Sequence, residues 1–266
     1  MCGTLSRNLT TDQIVSALNI KHVFEELPPA FNIKPSQRVL IVREEKGERI
    51  LQSACWWLTP QWVKDKGLIE FYTAENGLKK YRWKGKPLSM FNLRFDNVTN
   101  PEKPTWRKAM ARKRCIIVAN AFVEWPDDKL RDKEKDKIPG LFFYKDHSII
   151  GMPGFWECVA DDEGKDFFSS CLITLDPNAM LKALPHHRMP AMLRGADLDK
   201  WLDSSMVDAD EAAKLCRTTP DEEMGGYFIS KAVNVGENNS PNILTSIGSF
   251  EEENEIIRDR NRALGY

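Results

Sequence analysis

The stretch Cys115-Ile-Ile-Val-Ala-Asn-Ala-Phe-Val-Glu-Trp-Pro126 decides the fold. Its opening residues, Cys115 to Val118, are an unbroken apolar and mostly β-branched run, the pattern of a strand buried on both faces. The wider run to Val123, interrupted by Asn120, is the longest nearly unbroken apolar run in the chain and is far too short to span a bilayer. It leaves through Phe122-Val123-Glu124-Trp125-Pro126, so a carboxylate follows directly on the apolar residues. Just upstream, Pro104 to Arg114 reads as a helix with Pro104 in its first turn and Trp106, Met110 and Lys113 on one face.

Further outward, strands and helices alternate irregularly. A helix from Thr11 to Leu18 is predicted, with Thr10 as N-cap and Gln13 as its capping-box partner. A hairpin pairs Gln37–Val42 with Arg49–Cys55 across Glu45-Lys46-Gly47, and Trp56-Trp57-Leu58-Thr59-Pro60-Gln61-Trp62 ends it in aromatics. Leu141–Tyr144 and Ser148–Gly151 read as a second hairpin, and Phe168–Leu175 as a strand. Asp176-Pro177 then caps a short helix ending near Leu184, and Asp208 with Glu211 opens a later one. This order predicts an α+β fold, a single domain with a curved, mostly antiparallel and barrel-like sheet flanked by short helices. The domain is expected over residues 1–250, with an acidic tail over 251–266. Asp127 to Lys137, almost all charged, reads as a solvated loop.

Composition agrees with an ordinary globular chain: 266 residues, 42% hydrophobic and 29% charged. A chain of this length buries roughly three quarters of its unfolded surface without disulfide staples. No apolar segment follows the N-terminus, so neither a secretory signal nor a membrane partner is expected. The six cysteines, at 2, 55, 115, 158, 171 and 216, form no C-x-x-C pair and no disulfide framework. Reduced cysteines place the chain in the cytoplasm. No zinc spacing accompanies the histidines, so no metal and no cofactor is expected.

Net charge is −1, yet it is unevenly spread. Lys79 to Arg114 holds twelve Lys and Arg against Asp96 and Glu102, a charge of +10 that leaves −11 for the remainder. Tyr81, Trp83 and Trp106 are interleaved with these cations. Basic residues alternating with stacking platforms are the footprint of single-stranded nucleic acid binding, with Arg82, Trp83, Arg94, Trp106, Arg107, Lys113 and Arg114 as the contacting set. The alternative is a solvated basic face whose aromatics turn into the core.

Four positions carry chemistry. Cys2, freed by removal of Met1, would present an amine and a thiol on adjacent carbons, a pair that condenses with an aldehyde to a thiazolidine. An α-amino pKa near 8 leaves enough neutral amine for this at pH 7. Glu124, at the end of its apolar run, is placed to be desolvated and to act as a general acid or base; the bland alternative is an alternating strand with Glu124 in solvent. Asn92 shares a face with Arg94 on an extended segment within the basic stripe. His186 and His187 sit in the rigid corner Leu184-Pro185-His186-His187-Arg188-Met189-Pro190.

Taken in order, Met1-Cys2-Gly3, Phe31-Asn32-Ile33-Lys34-Pro35, Trp56–Trp62, Asn92-Leu93-Arg94, Phe122-Val123-Glu124-Trp125, Pro153-Gly154-Phe155-Trp156-Glu157 and His186–Pro190 resemble the SOS-response-associated peptidase family of abasic-site processing proteins. Each motif is weak alone; seven in order are specific. The resemblance implies covalent capture of abasic sites in single-stranded DNA, on the nucleoid, by a monomer. It implies Cys2 as nucleophile, Asn92 sensing the lesion, Glu124 acting on the sugar and the amine, and His186 assisting proton transfer. His186 rather than His187 fits the family pattern His-x-Arg-x-Pro. Arg94 would hold phosphate. The family name suggests a second reading, a Cys2/His186 thiol peptidase or amidohydrolase that includes removal of Met1. A non-enzymatic single-strand binding module is a third. Three positions depart from the family: Thr4 where arginine is usual, which leaves one expected phosphate contact open, and Trp57 and Ala121 in place of glycines.

Overall fold

The computed structural model describes residues 2–75, 77–126, 138–184 and 186–250. The expected acidic tail, 251–266, and the charged loop, 127–137, lie outside them.

Asn120 turns out to be a crossing point. The apolar run is divided between two strands in different sheets, with Asn120 at the step from one to the other. Its main-chain N–H donates to Ser6 O, and its side chain accepts from the N–H of Asn8. In chain order, β1 (Thr4–Arg7), α1 (Thr11–Leu18), β2 (His22–Val23) and β3 (Ala30–Ile33) precede the hairpin of β4 (Arg38–Glu45) and β5 (Glu48–Trp56). After α2 (Gln61–Asp65), a separate two-stranded ribbon is made by β6 (Ile69–Thr73) and β7 (Lys79–Trp83). Then come β8 (Asn92–Arg94), α3 (Phe95–Thr99), α4 (Pro104–Arg112), β9 (Arg114–Ala119) and β10 (Ala121–Glu124). The chain continues through β11 (Gly140–Tyr144), β12 (Ile150–Ala160), β13 (Asp166–Leu175), α5 (Ala179–Ala183) and β14 (Met189–Pro190). It ends in α6 (Gly195–Leu202), α7 (Ala209–Leu215), β15 (Met224–Ile229) and β16 (Ser246–Ser249).

The fold is α+β around a closed barrel. β13, β12, β9, β4 and β5 pair in that order, and a parallel contact between β5 and β13 at Cys55 and Ser169 completes the ring. The other barrel pairings are antiparallel. Every residue of β9 is buried, as its apolar run requires, with Trp201 of α6 donating from its indole to Cys115 O at 2.8 Å. Gly154 in β12 is obligatory, since a Cβ there would stand 1.8 Å from the carbonyl oxygen of Cys171. The second sheet runs β16-β15-β11-β10-β1-β3, so the strand that follows Cys2 lies between β10 and β3. Among the described residues no helix is long and apolar enough to cross a membrane.

Local signals match closely. Thr10 and Gln13 form the expected capping box, Asp208 caps α7, and Lys46 and Gly47 turn the first hairpin with positive φ. Two expectations are corrected. The strands around Lys145-Asp146 are not a hairpin: β11 pairs with β10 and β15, whereas β12 pairs with β9 and β13, and the chain changes sheets through His147 at φ +54°. The cap of α5 is Asn178, whose side chain accepts from Leu181 N at 3.1 Å; Asp176 is at the strand end and pairs with Arg188.

Candidate active site

Strand register brings together the four residues expected to carry chemistry, Cys2, Asn92, Glu124 and His186. β1 runs antiparallel to β10 with Thr4 opposite Val123, so the chain preceding Thr4 meets the end of β10. β8 lies parallel to β13 with Asn92 opposite Leu172, and β14 pairs with the last residues of β13, carrying the 186–188 corner to the same end. Cys2, Asn92, Glu124 and His186 are all buried.

Their contacts are specific. The Asn92 amide donates to the Cys2 carbonyl at 2.6 Å and fixes the main chain there. Glu124 Oε2 lies 3.1 Å from His186 Nε2, and His186 Nδ1 lies 2.8 Å from Trp125 O. A carbonyl only accepts, so Nδ1 carries the proton; in the neutral ring Nε2 is then the acceptor, an assignment made from the partners. Burial pushes the Glu124 carboxyl up to about 8, against the pull of the positive amino terminus and, after it, of the Cys2 thiol. Burial favours the protonated carboxyl, which donates to Nε2, so the pair is arranged to share one proton. Glu124 is therefore inside the molecule, not the outward residue of an alternating strand.

Two buried acceptors, Glu124 Oε1 and Asn92 Oδ1, have no hydrogen-bond partner among the described residues. Unpaired buried polar atoms cost stability and mark sites kept for something else. The Cys2 thiol is pushed well above its ordinary value, by burial first and then by the Glu124 charge. Its Sγ contacts Thr4 O at 3.8 Å.

The basic stripe is arranged differently. Arg114 is buried and spends its guanidinium on the carbonyls of Trp201, Met110 and Asp203, at 2.7, 2.6 and 2.6 Å; it joins helices to the barrel and leaves the expected DNA-contacting set. Arg107 forms a two-pronged pair with Asp210, Arg94 one with Asp96, and Arg82 pairs with Glu70. Lys113 lies over the Trp156 ring at 4.2 Å and pairs with Glu157. Trp106 is half-buried and stacks on Phe155, and Trp83 is half-buried with its ring edge-on to Tyr81. Lys84, Lys86 and Lys108 make no ion pair among the described residues, so the surface stays basic around the paired groups.

Two residues escaped the reading of the sequence. Arg188 donates to Thr174 and Asp176, while Arg94 lies opposite Thr174 on the neighbouring strand, so two guanidiniums flank the end of β13. Lys34 reaches the site from beyond β3, donating to Thr4 Oγ1 at 2.5 Å and Val233 O at 3.1 Å. Both lie inside motifs that carry the family resemblance, which was the available signal. His187 is exposed, its ring 5.2 Å from that of His186.

Comparison with known proteins follows the same residues. Residues 1–235 match the family described as SOS response associated peptidase (SRAP). The chain is 30% identical over 248 residues to abasic site processing protein YoqW of Bacillus subtilis strain 168, covering 92% of this chain and all of that protein. It is 27% identical over 292 residues to abasic site processing protein HMCES of Pongo abelii, covering 93% of this chain and 76% of that one. A crystal structure of a Bacteroides thetaiotaomicron protein superposes with TM-score 0.71 at 24% identity over 92% of this chain and 99% of that one, a likeness of fold.

Proposed function

Because the chain belongs to the SOS response associated peptidase family, we propose that it processes abasic sites in DNA, capturing them in single strands through a thiazolidine on Cys2 once Met1 is removed. The observation that carries this reading is the convergence of Cys2, Asn92, Glu124 and His186 from four separate segments on one buried point.

The chemistry suits that arrangement. An abasic sugar is mostly a closed hemiacetal without a free aldehyde. Opening it needs a proton on the ring oxygen while the anomeric hydroxyl loses one, an exchange fitted to a carboxyl poised at about 8 against an imidazole. The free amine of Cys2 then adds to the aldehyde carbon and one water leaves, giving the Schiff base. The thiol adds across the C=N bond, its sulfur to carbon and its proton to nitrogen, and the five-membered ring closes. The net change is loss of one water with formation of one C–N and one C–S bond. Asn92, gripping the Cys2 carbonyl, keeps amine and thiol in reach of the same carbon. Arg94 and Arg188, with exposed carboxylate partners, are suited to exchange a carboxylate for a phosphate.

A thiol peptidase is less well served. It needs a thiolate beside an imidazolium, whereas the Cys2 thiol is pushed upward and His186 faces Trp125 O and Glu124.

The test is a denaturing gel after incubation with single-stranded DNA bearing one abasic site. The protein, its N-terminus established by intact mass, is expected to give a heat-stable adduct, while Cys2→Ala gives none and keeps its non-covalent affinity, which phosphate contacts supply. Wild-type adduct yield from Cys2→Ala would remove Cys2 from the chemistry.

A further inference from the structure

The β6–β7 ribbon folds back over the end of β5 and leaves a cavity there. Its register puts Phe71 opposite Tyr81, and both rings pack on Phe167, at 5.1 and 5.8 Å between centres. The Tyr81 hydroxyl donates to Trp57 O at 3.0 Å, and Lys79 pairs with Asp162 and Glu163 in the turn between β12 and β13, at 2.8 Å each. The ribbon is thereby held in place, and a cavity of about 150 Å³ lies against it. The rings of Trp57, Tyr81 and Trp83 and the cations Arg38, Lys79 and Lys80 line this cavity; among the described residues no carboxylate does. Trp83 carries a buried indole N–H without a hydrogen-bond partner among the described residues, the one such atom in the lining. Arg38 and Lys79 spend their charge on carboxylates outside the cavity, whereas Lys80 makes no ion pair among the described residues.

We propose that this cavity takes the base of one pyrimidine nucleotide, with the phosphate of that nucleotide on Lys80. Volume sets the ring: a void of this size accepts a single six-membered ring and is too small for a fused pair. The aromatic walls favour a flat π-system, and every base has one. The unmade donor on Trp83 calls for an acceptor, which the ring carbonyls of thymine and cytosine supply. The unpaired ammonium calls for an anion at the mouth. Trp57 connects the cavity to the candidate site, since its ring lies 5.0 Å from that of Phe91, the residue before Asn92. The nucleotide is a neighbour of the lesion in the same strand or a free nucleotide; the chemistry is shared. As a subsite of a bound strand the cavity rests on the function proposed above, and as a site for a free nucleotide it does not.

Titration of the isotope-labelled protein, followed by NMR through the Trp83 indole N–H resonance, reads the site directly. That resonance is the indole signal absent from Trp83→Phe. Addition of dTMP is expected to move it, with half-saturation at a concentration about tenfold below that of dGMP, a purine that also carries a carbonyl. Inorganic phosphate alone is expected to leave it in place. Lys80→Ala is expected to raise the half-saturation for dTMP about fivefold. A short oligothymidylate without an abasic site is expected to move the same resonance at a lower concentration than dTMP, which assigns the site to the strand; movement by dTMP alone assigns it to a free nucleotide. A resonance that neither moves, or that dGMP or phosphate moves as readily as dTMP, overturns the proposal. Movement by dTMP in a protein that binds no single-stranded DNA upholds the cavity and overturns the reading of function instead.

Discussion

Arg114 and Glu124 bound the same apolar run, one opening β9 and the other closing β10, and both are buried. Their surroundings differ in a way that charge and burial alone do not reveal. Arg114 donates to four carbonyls from two helical regions, so its buried charge is spread over fixed acceptors. Glu124 has one oxygen against His186 and one without a hydrogen-bond partner among the described residues, and burial favours the protonated form of its carboxyl. A buried charge whose bonds are all made is a strut. A buried acid with a bond left over is available to a reactant. The contrast is one of satisfaction, and it separates the two roles along eleven residues of chain.

Exchanging each group for a neutral one of similar shape is the sharpest way to break that contrast. Glu124→Gln is expected to slow adduct formation or its reversal by roughly 10² to 10⁴, since Gln keeps the shape but transfers no proton. His186→Ala is expected to be less than additive with it, because one proton path serves both. Time courses of crosslinking and reversal on abasic single strands decide this, and wild-type kinetics in both directions would reduce Glu124 to a strand end. The same variant should also be thermally sound. A carboxyl raised from its ordinary value to about 8 holds a proton in the folded chain that the unfolded chain gives up between roughly pH 4.5 and 8, so folding stability falls as pH rises through that window. Melting curves at pH 5 and pH 8 should show Glu124→Gln gaining on wild type at the higher pH; parallel curves would mean the carboxyl is ionised in the folded chain.

Arg114→Met should do the reverse, costing about 3 kcal/mol by stranding buried carbonyls, or roughly 6 to 12 °C in melting temperature. The surviving folded fraction should form the adduct at normal rate. A stable variant with weakened DNA affinity would return Arg114 to the DNA surface. The smallest effect is expected from Arg107→Ala, whose pair with Asp210 is largely exposed. Stability should change by less than about 1 kcal/mol. If this guanidinium exchanges Asp210 for phosphate, the salt dependence of single-strand binding, measured by fluorescence anisotropy, should lose a slope of about 0.7. An unchanged slope would leave Arg107 as a helix-to-helix tie.

These same residues explain what could be read from sequence. Capping at Thr10 and Asp208 and the Lys46-Gly47 turn are decided within three or four residues, and each was legible. So was the environment of Glu124, because an acid directly following an apolar run has few ways to reach water. Partners chosen across long separations were not. The false hairpin at Lys145 placed two true strands together when each had partners elsewhere, and Arg114 looked like part of a basic surface because Trp201 and Asp203 lie almost ninety residues away. Lys34 was visible inside a motif, but only the register of β1 on β3 shows it facing Thr4.

The parallel seam that closes the barrel has a consequence for how the chain is made. Cys55 and Trp56 pair with Ser169 and Ser170, so well over one hundred residues must be synthesised before that end of β5 finds its neighbour. At about 5 to 20 residues per second, the hairpin waits on the ribosome for roughly 6 to 23 seconds with a bare apolar edge. Such an edge pairs readily with another nascent chain. Slow translation through residues 57–165 should therefore lower soluble yield, and a holding chaperone should recover it, with no change in the finished molecule.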